Sequence, residues 1–395
     1  MNSTSATLDR VQQSPSGDSR YVANNAAARG GLDLRDQRSK RFRLLDRLQV
    51  VTDLDRLTHC RRDRSFGSEF VGIVQRDGLS SYAGLQTCGS VWACPVDSAK
   101  VRHQRTLQLA DVVERHLASG GGLTFPTLTL AHVKRDALAD TLGHLYEGWR
   151  YVTGHRDYRQ LRARLGIEHV CKTVEITHGY NGWHPHIHGL MFSTADLSED
   201  LTKDVMATLW KHWNAYAEKN RLRVLVPHRA VVVKRVEMST EQGMANLADY
   251  LFKVQDGYGI AAELVRADMK RGRSKHRVPF QIAEGAVSGK RPADLALWHE
   301  YEAATHGRRV MDWTKGSARA LGLGETDEQI AAAVHGDLLY DLTPYEWELV
   351  LRYRRRGHLL NVADVRGADG VAQTIEALRR RDIYEDRKRS RKARA

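Results

Sequence analysis

From Val170 to Phe192 the chain reads VCKTVEITHGYNGWHPHIHGLMF, with apolar and polar residues alternating almost one for one. A period of two sends successive side chains to opposite faces of a strand, so the stretch predicts two strands. Val170, Thr173, Val174, Ile176 and Thr177 mark the first. His184, His186 and His188, with Ile187, Leu190 and Phe192 around them, mark the second. Asn181-Gly182 between them is a strong hairpin signal, because both residues tolerate positive φ.

Elsewhere the spacing lengthens to three and four. Helices are expected from Arg41 (Phe42, Leu44, Leu45, Leu48, Val51), through Leu107 to Leu117, over Leu138 to Tyr151 and over Leu201 to Ala217. Thr240 to Val254 carries an apolar stripe of Met244, Leu247, Leu251 and Val254, with Tyr250 and Lys253 on one side. Further helices are expected over Pro292–His306 and Pro344–Arg355. Leu123–His132, Val224–Val226, Ala230–Val236 and Leu359–Val362 read as strands. Pro126 within the first of these suggests an edge or a bulge, because proline donates no ladder hydrogen bond. Thr127 and Thr129 share one face and read as ordinary strand threonines. Strands interleaved with helices around a hairpin predict an α+β fold: an antiparallel sheet, in a ferredoxin-like palm, with helices on one face.

The hairpin permits a prediction about chemistry. If Asn181 and Gly182 form the loop, Tyr180 faces Trp183, Thr177 lies opposite His186 and Glu175 opposite His188, with directly opposed Cβ atoms roughly 5 Å apart. Pro185 then falls where a ladder N–H is wanted. A longer loop shifted by two residues keeps Glu175 on the histidine face, whereas a shift by one removes it. Two or three imidazoles and a carboxylate on rigid strands suit a divalent ion with positions left for phosphate oxygen. Cys60, Cys88 and Cys94, with Pro95 following, look like part of a zinc knuckle; Asp97, His59 and His103 lie near enough in sequence to complete a mixed site. Buried reduced thiols are the alternative.

Composition narrows the partner. The chain has 395 residues and a formal net charge of +13, which suits a polyanion. It has 42% hydrophobic residues and no long apolar run, so no transmembrane helix and no membrane partner are expected. Four cysteines in a chain of this length point to a reducing cytoplasm rather than a disulfide framework. Residues 1–40 are polar and expected to be disordered. A helical, cysteine-containing segment should span 41–118, the hairpin domain 119–260, a mainly helical region 261–378 and a flexible basic tail 379–395.

The block Glu-x-Thr-His-Gly followed by Asn-Gly-Trp-His-Pro-His-x-His resembles the HUH endonucleases, and more narrowly the rolling-circle replication initiators of actinobacterial plasmids. The Thr-Leu-Thr strand before it and the Tyr-x-x-Lys helix after it follow the order of that family's motifs; the resemblance covers roughly Cys88 to Leu323. It implies that His186, His188 and Glu175 hold Mg²⁺ or Mn²⁺, that Tyr250 is the nucleophile and that Lys253 contacts phosphate. It implies a single-strand DNA endonuclease and strand transferase acting at a plasmid origin through a 5′-phosphotyrosine, with host helicase and polymerase taking over the opened strand. A tyrosine transposase or relaxase would share this site, and a zinc-stabilised DNA-binding regulator without catalysis is the reading from another class. In the family's cysteine block the last position is usually Cys; here it is Asp97, which puts the zinc in doubt.

Overall fold

The computed structural model describes residues 31–236 and 276–394. In chain order its longer helices are α1 (Gly31–Val51), α2 (Pro95–Ala118), α3 (Leu138–Gly154), α4 (Arg156–Arg164), α5 (Glu199–Lys219), α6 (Pro279–Ser288), α7 (Ala293–Thr305), α8 (Pro344–Arg352) and α9 (Arg356–Arg394). Its strands are β1 (Val71–Arg76), β2 (Leu79–Ala83), β3 (Gly122–Thr129), β4 (Ile167–Gly179), β5 (Gly182–Ser193), β6 (Val231–Arg235), β7 (Met311–Trp313) and β8 (Asp337–Leu342). They form two antiparallel sheets, β6-β3-β5-β4-β7 and β2-β1-β8. The fold is α+β, as the alternation and spacing predict.

In the larger sheet one face is mainly apolar where the helices cover it. Leu128, Val174, Ile176, Ile187 and Met191 pack against Leu142, Leu145 and Trp149 of α3 and Val205, Leu209 and Trp213 of α5. Burying each large aliphatic side chain is worth roughly 1.5–3 kcal/mol, and a one-residue slip would turn the whole set to solvent. Burial therefore fixes which residues face away from these helices. That second face is divided. Leu123, Phe125, Cys171, Leu190 and Phe192 lie under Leu109, Val112 and Val113 of α2, so a helix covers part of this face too. The stretch beyond α2 carries Thr127, Glu175, His184, His186 and His188.

The hairpin turn lies one residue earlier than expected. Gly179 pairs with Gly182, His178 with Trp183, Glu175 with His186 and Thr173 with His188, leaving Tyr180 and Asn181 as the loop. Gly182 alone in the turn takes a left-handed φ, of 85°, as in a turn followed by a glycine bulge, and a Cβ there would lie 2.9 Å from Lys134 Cα. The pairing moves by two residues without a longer loop, and Glu175 stays on the histidine face. Pro126 is also corrected: β3 is interior, between β6 and β5, and the proline is accommodated because Gly189 stands against it.

The smaller sheet joins the two ends of the chain. Val71, Ile73, Tyr82 and Leu342 share a core with Phe42 of α1, Trp347 and Val350 of α8, and Leu359, Leu360, Ala363, Val371, Ile375 and Leu378 of α9. Leu359–Val362, expected as a strand, is helical, because its apolar residues continue at helical spacing to Leu378. The region after residue 276 is mainly helical and also supplies the short strands β7 and β8. Residues 31–40 lie within α1 and residues 379–394 within α9. Arg379 pairs with Glu346, and Asp382 accepts from Arg352 and Tyr353, which ties the start of the basic segment to α8. Val224–Val226 forms no strand: Val224 is 91% exposed and Pro227 begins a helical turn. No described helix is long and apolar enough to cross a membrane.

Candidate metal centre

Glu175 on β4 stands directly opposite His186 on β5, and His188 stands between Thr173 on β4 and Thr127 on β3. Nε2 of His186 lies 2.9 Å from Glu175 Oε2, and Nε2 of His188 lies 3.2 Å from the same oxygen. Adjacent ligands around a six-coordinate ion with bonds of about 2.1 Å lie about 3 Å apart. The donor set, two imidazole nitrogens and a carboxylate oxygen, is one that divalent metal ions accept, and its spacing is that of ligands sharing one ion. Side-chain exposure rises from 7% at His188 through 14% at His186 to 38% at Glu175, so the cluster meets solvent on the Glu175 side.

The surroundings prepare these groups as ligands. Burial acts to raise the Glu175 carboxyl, but hydrogen bonds from His186 and His188 overcome it and hold the group well below the usual carboxylate range, hence ionised. Burial lowers His188, only partly opposed by Glu175, which favours the neutral ring a cation needs. Nδ1 of His188 lies 3.1 Å from Thr127 Oγ1, so the far side of the ring is also fixed. This threonine is a site residue that sequence reasoning missed: it put Thr127 and Thr129 on one face and read them as ordinary strand threonines.

Imidazoles continue beyond the cluster. The His184 ring lies 5.2 Å from that of His186 and 4.8 Å from that of His132, with His276 6.4 Å away. His132 and His276 come from segments flanking the hairpin, and no local pattern marks them. His184 is pushed down to about 4, first by burial and then by His186 and His132.

Of the other sequence candidates, Tyr250 and Lys253 lie outside the described residues, as does the helix expected around them. Cys60, Cys88 and Cys94 do converge, together with Asp97. His59 does not join them and pairs with Asp63, while Cys171 is buried alone in the larger sheet, its thiol pushed up by burial.

No protein-family model and no solved structure matches the chain. Among curated proteins it is similar to "Protein rep" of Streptomyces lividans, 31% identical over 308 residues, spanning 64% of this chain and 67% of the relative. It is also similar to "Neomycin resistance protein" of Streptomyces cyanogenus, 28% identical over 141 residues, 29% of this chain and 32% of that protein. On the extent and identity of the first match, the chain belongs to the family of the Streptomyces lividans Rep protein.

Proposed function

We propose that the protein is a plasmid replication initiator of the HUH type, which nicks one strand of DNA at a rolling-circle origin and later rejoins it. The observation that carries this reading is the convergence of Glu175, His186 and His188 on an open sheet face in a Rep relative. A divalent cation held by these three residues would polarise the scissile phosphate and offset the charge that develops on it.

The residues of the chain do the rest. Glu175, ionised, and the two imidazoles fix one position on the sheet, and rigid strands hold it without reorganisation. Tyr250 is the nucleophile in this reading. Its phenol oxygen attacks phosphorus, a P–O bond to tyrosine forms, and the bond to the 3′ oxygen breaks. The 3′ oxygen leaves as a hydroxyl after taking a proton, and the 5′ phosphate stays on the protein. Lys253, one turn along the expected helix, would stabilise the phenolate and contact phosphate. Attack by a 3′ hydroxyl on the phosphotyrosine reverses the step and closes the strand. The net charge of +13 favours the DNA encounter. The exposed 3′ end would suit a host polymerase, with a host helicase opening the duplex ahead.

The test is to incubate the protein with supercoiled origin DNA and Mn²⁺. Relaxation with protein joined to the 5′ end, lost in His186→Ala and in Tyr250→Phe, supports the reading. Sequence-specific binding without nicking would leave a DNA-binding regulator, and strand transfer between two separate ends would indicate a transposase.

A further inference from the structure

The cysteine cluster stands apart from this chemistry. Cys60 follows the helical turn Asp55–His59, Cys88 lies in the segment between β2 and α2, and Cys94 caps α2 with Pro95 next. All three and Asp97 are buried. Cys60 Sγ lies 3.7 Å from Cys94 Sγ, and Asp97 Oδ2 lies 3.2 Å from Cys60 Sγ and 3.5 Å from Cys88 Sγ. A tetrahedral zinc ion with Zn–S bonds of about 2.3 Å and a Zn–O bond of about 2.0 Å has S···S edges of about 3.8 Å and S···O edges of about 3.5 Å. Those three separations are close to edges of that tetrahedron, and all four ligand atoms lie within 4.8 Å of one another.

The backbone is arranged for charged sulfur. The amides of Cys88, Ser90 and Asp97 donate to the sulfurs of Cys60, Cys88 and Cys94 at 3.3, 3.4 and 3.3 Å. Such bonds are stronger to a thiolate than to a thiol. Arg61 Nε donates to Asp97 Oδ1 at 2.8 Å, which turns Oδ2 toward the sulfurs. Three thiolates and a carboxylate exceed the charge of one zinc ion, and the buried Arg61 guanidinium offsets part of that excess.

We infer that Cys60, Cys88, Cys94 and Asp97 bind a structural zinc ion, with Asp97 taking the place of a fourth cysteine. Its position gives it a task. It fixes the first turn of α2, whose later turns cover Phe125, the ring packed 5.6 Å from that of His188. Arg61 also donates to the carbonyl of Ala331, and its own carbonyl accepts from Arg356, so the ion sits where the cores of the two sheets meet. The site is closed, with no open position for substrate.

The test uses the full chain, purified with zinc in the medium and dialysed against EDTA, then measured for metal and for cobalt absorption after exchange. About one tightly held zinc per chain is expected, unchanged in the His186→Ala, His188→Ala double variant. Cobalt should give a thiolate charge-transfer band and the intense visible bands of a tetrahedral site. Cys94→Ser should lose the ion, and Asp97→Cys should keep it with the cobalt bands shifted toward an all-thiolate spectrum. Should Cys94→Ser fail to fold, the wild-type and Asp97→Cys spectra decide. Wild-type protein without zinc or a thiolate–cobalt band, or zinc that disappears with His186 and His188, would overturn the assignment.

Discussion

Thr127 on β3 and His188 on β5 face each other across the ladder, with Oγ1 and Nδ1 3.1 Å apart. When a cation takes the place of the proton that Nε2 donates to Glu175, Nδ1–H donates to the threonine oxygen and holds the Nε2 lone pair toward the ion. Thr127→Val keeps the shape and removes the acceptor. It is expected to weaken Mn²⁺ binding by about 10- to 100-fold while leaving the fold intact. Titration calorimetry measures this directly, and unchanged affinity would show that the threonine does not orient the ring.

Gly189 follows His188 and lies against Pro126, where an added Cβ would sit 2.7 Å from the proline Cγ. The neighbour is a ring within a strand, which has little room to yield. Gly189→Ala is expected to cost about 1–3 kcal/mol of stability by forcing β3 and β5 apart. Denaturant midpoints for wild type and variant test this; a cost near zero would mean that the strands separate freely.

His184 gives the pH dependence of the metal-free protein. Its folded value is about 4, against an ordinary histidine value of about 6.5 in the unfolded chain. Between those values the unfolded state binds more protons, so stability falls as pH drops through that window. The lowered His188 acts in the same direction. Urea midpoints measured with chelator from about pH 7 to about pH 5 should decline less steeply in His184→Gln. Equal slopes would remove His184 from this account.

Arg356 and Asp46 form a buried pair at 2.5 Å, with side chains 1% and 8% exposed, and join α9 to α1. Removing one partner leaves a buried charge unpaired. Arg356→Ala is expected to cost about 3–5 kcal/mol, and replacing both residues with apolar ones of similar volume considerably less. Thermal or chemical unfolding of the single and double variants makes the comparison. Equal losses would mean that the cost comes from packing rather than charge.

The sequence carried the parity of the site but not its pairing. Glu175, His186 and His188 share a face because Val174, Ile176 and Ile187 must share the other, and that follows from local alternation. The register within the face depended on how the turn closed. Asn181-Gly182 suggested both as loop residues, whereas Gly182 alone adopts positive φ and Tyr180 joins the loop. The role of Thr127 required knowing that β3 lies beside β5, which no local signal encodes. The smaller sheet was illegible for the same reason, since β8 pairs with β1 from the other end of the chain. At Leu359–Val362 a short apolar run suited either a strand or a buried helix, and packing against α1 and β2 decided it. Among the cysteines, spacing suggested a metal, but only the fold brought Asp97 in and left His59 out.

The central claim is a covalent one, and peptide mapping of the adduct tests it most directly. The protein is reacted with a single-stranded origin oligonucleotide and Mn²⁺, digested with protease and nuclease, and analysed by mass spectrometry. The expected result is a nucleotide joined through its 5′ phosphate to the peptide containing Tyr250, absent when Glu175 is replaced by Ala. An adduct on another residue, or cleavage that leaves no protein-linked 5′ end, would contradict it.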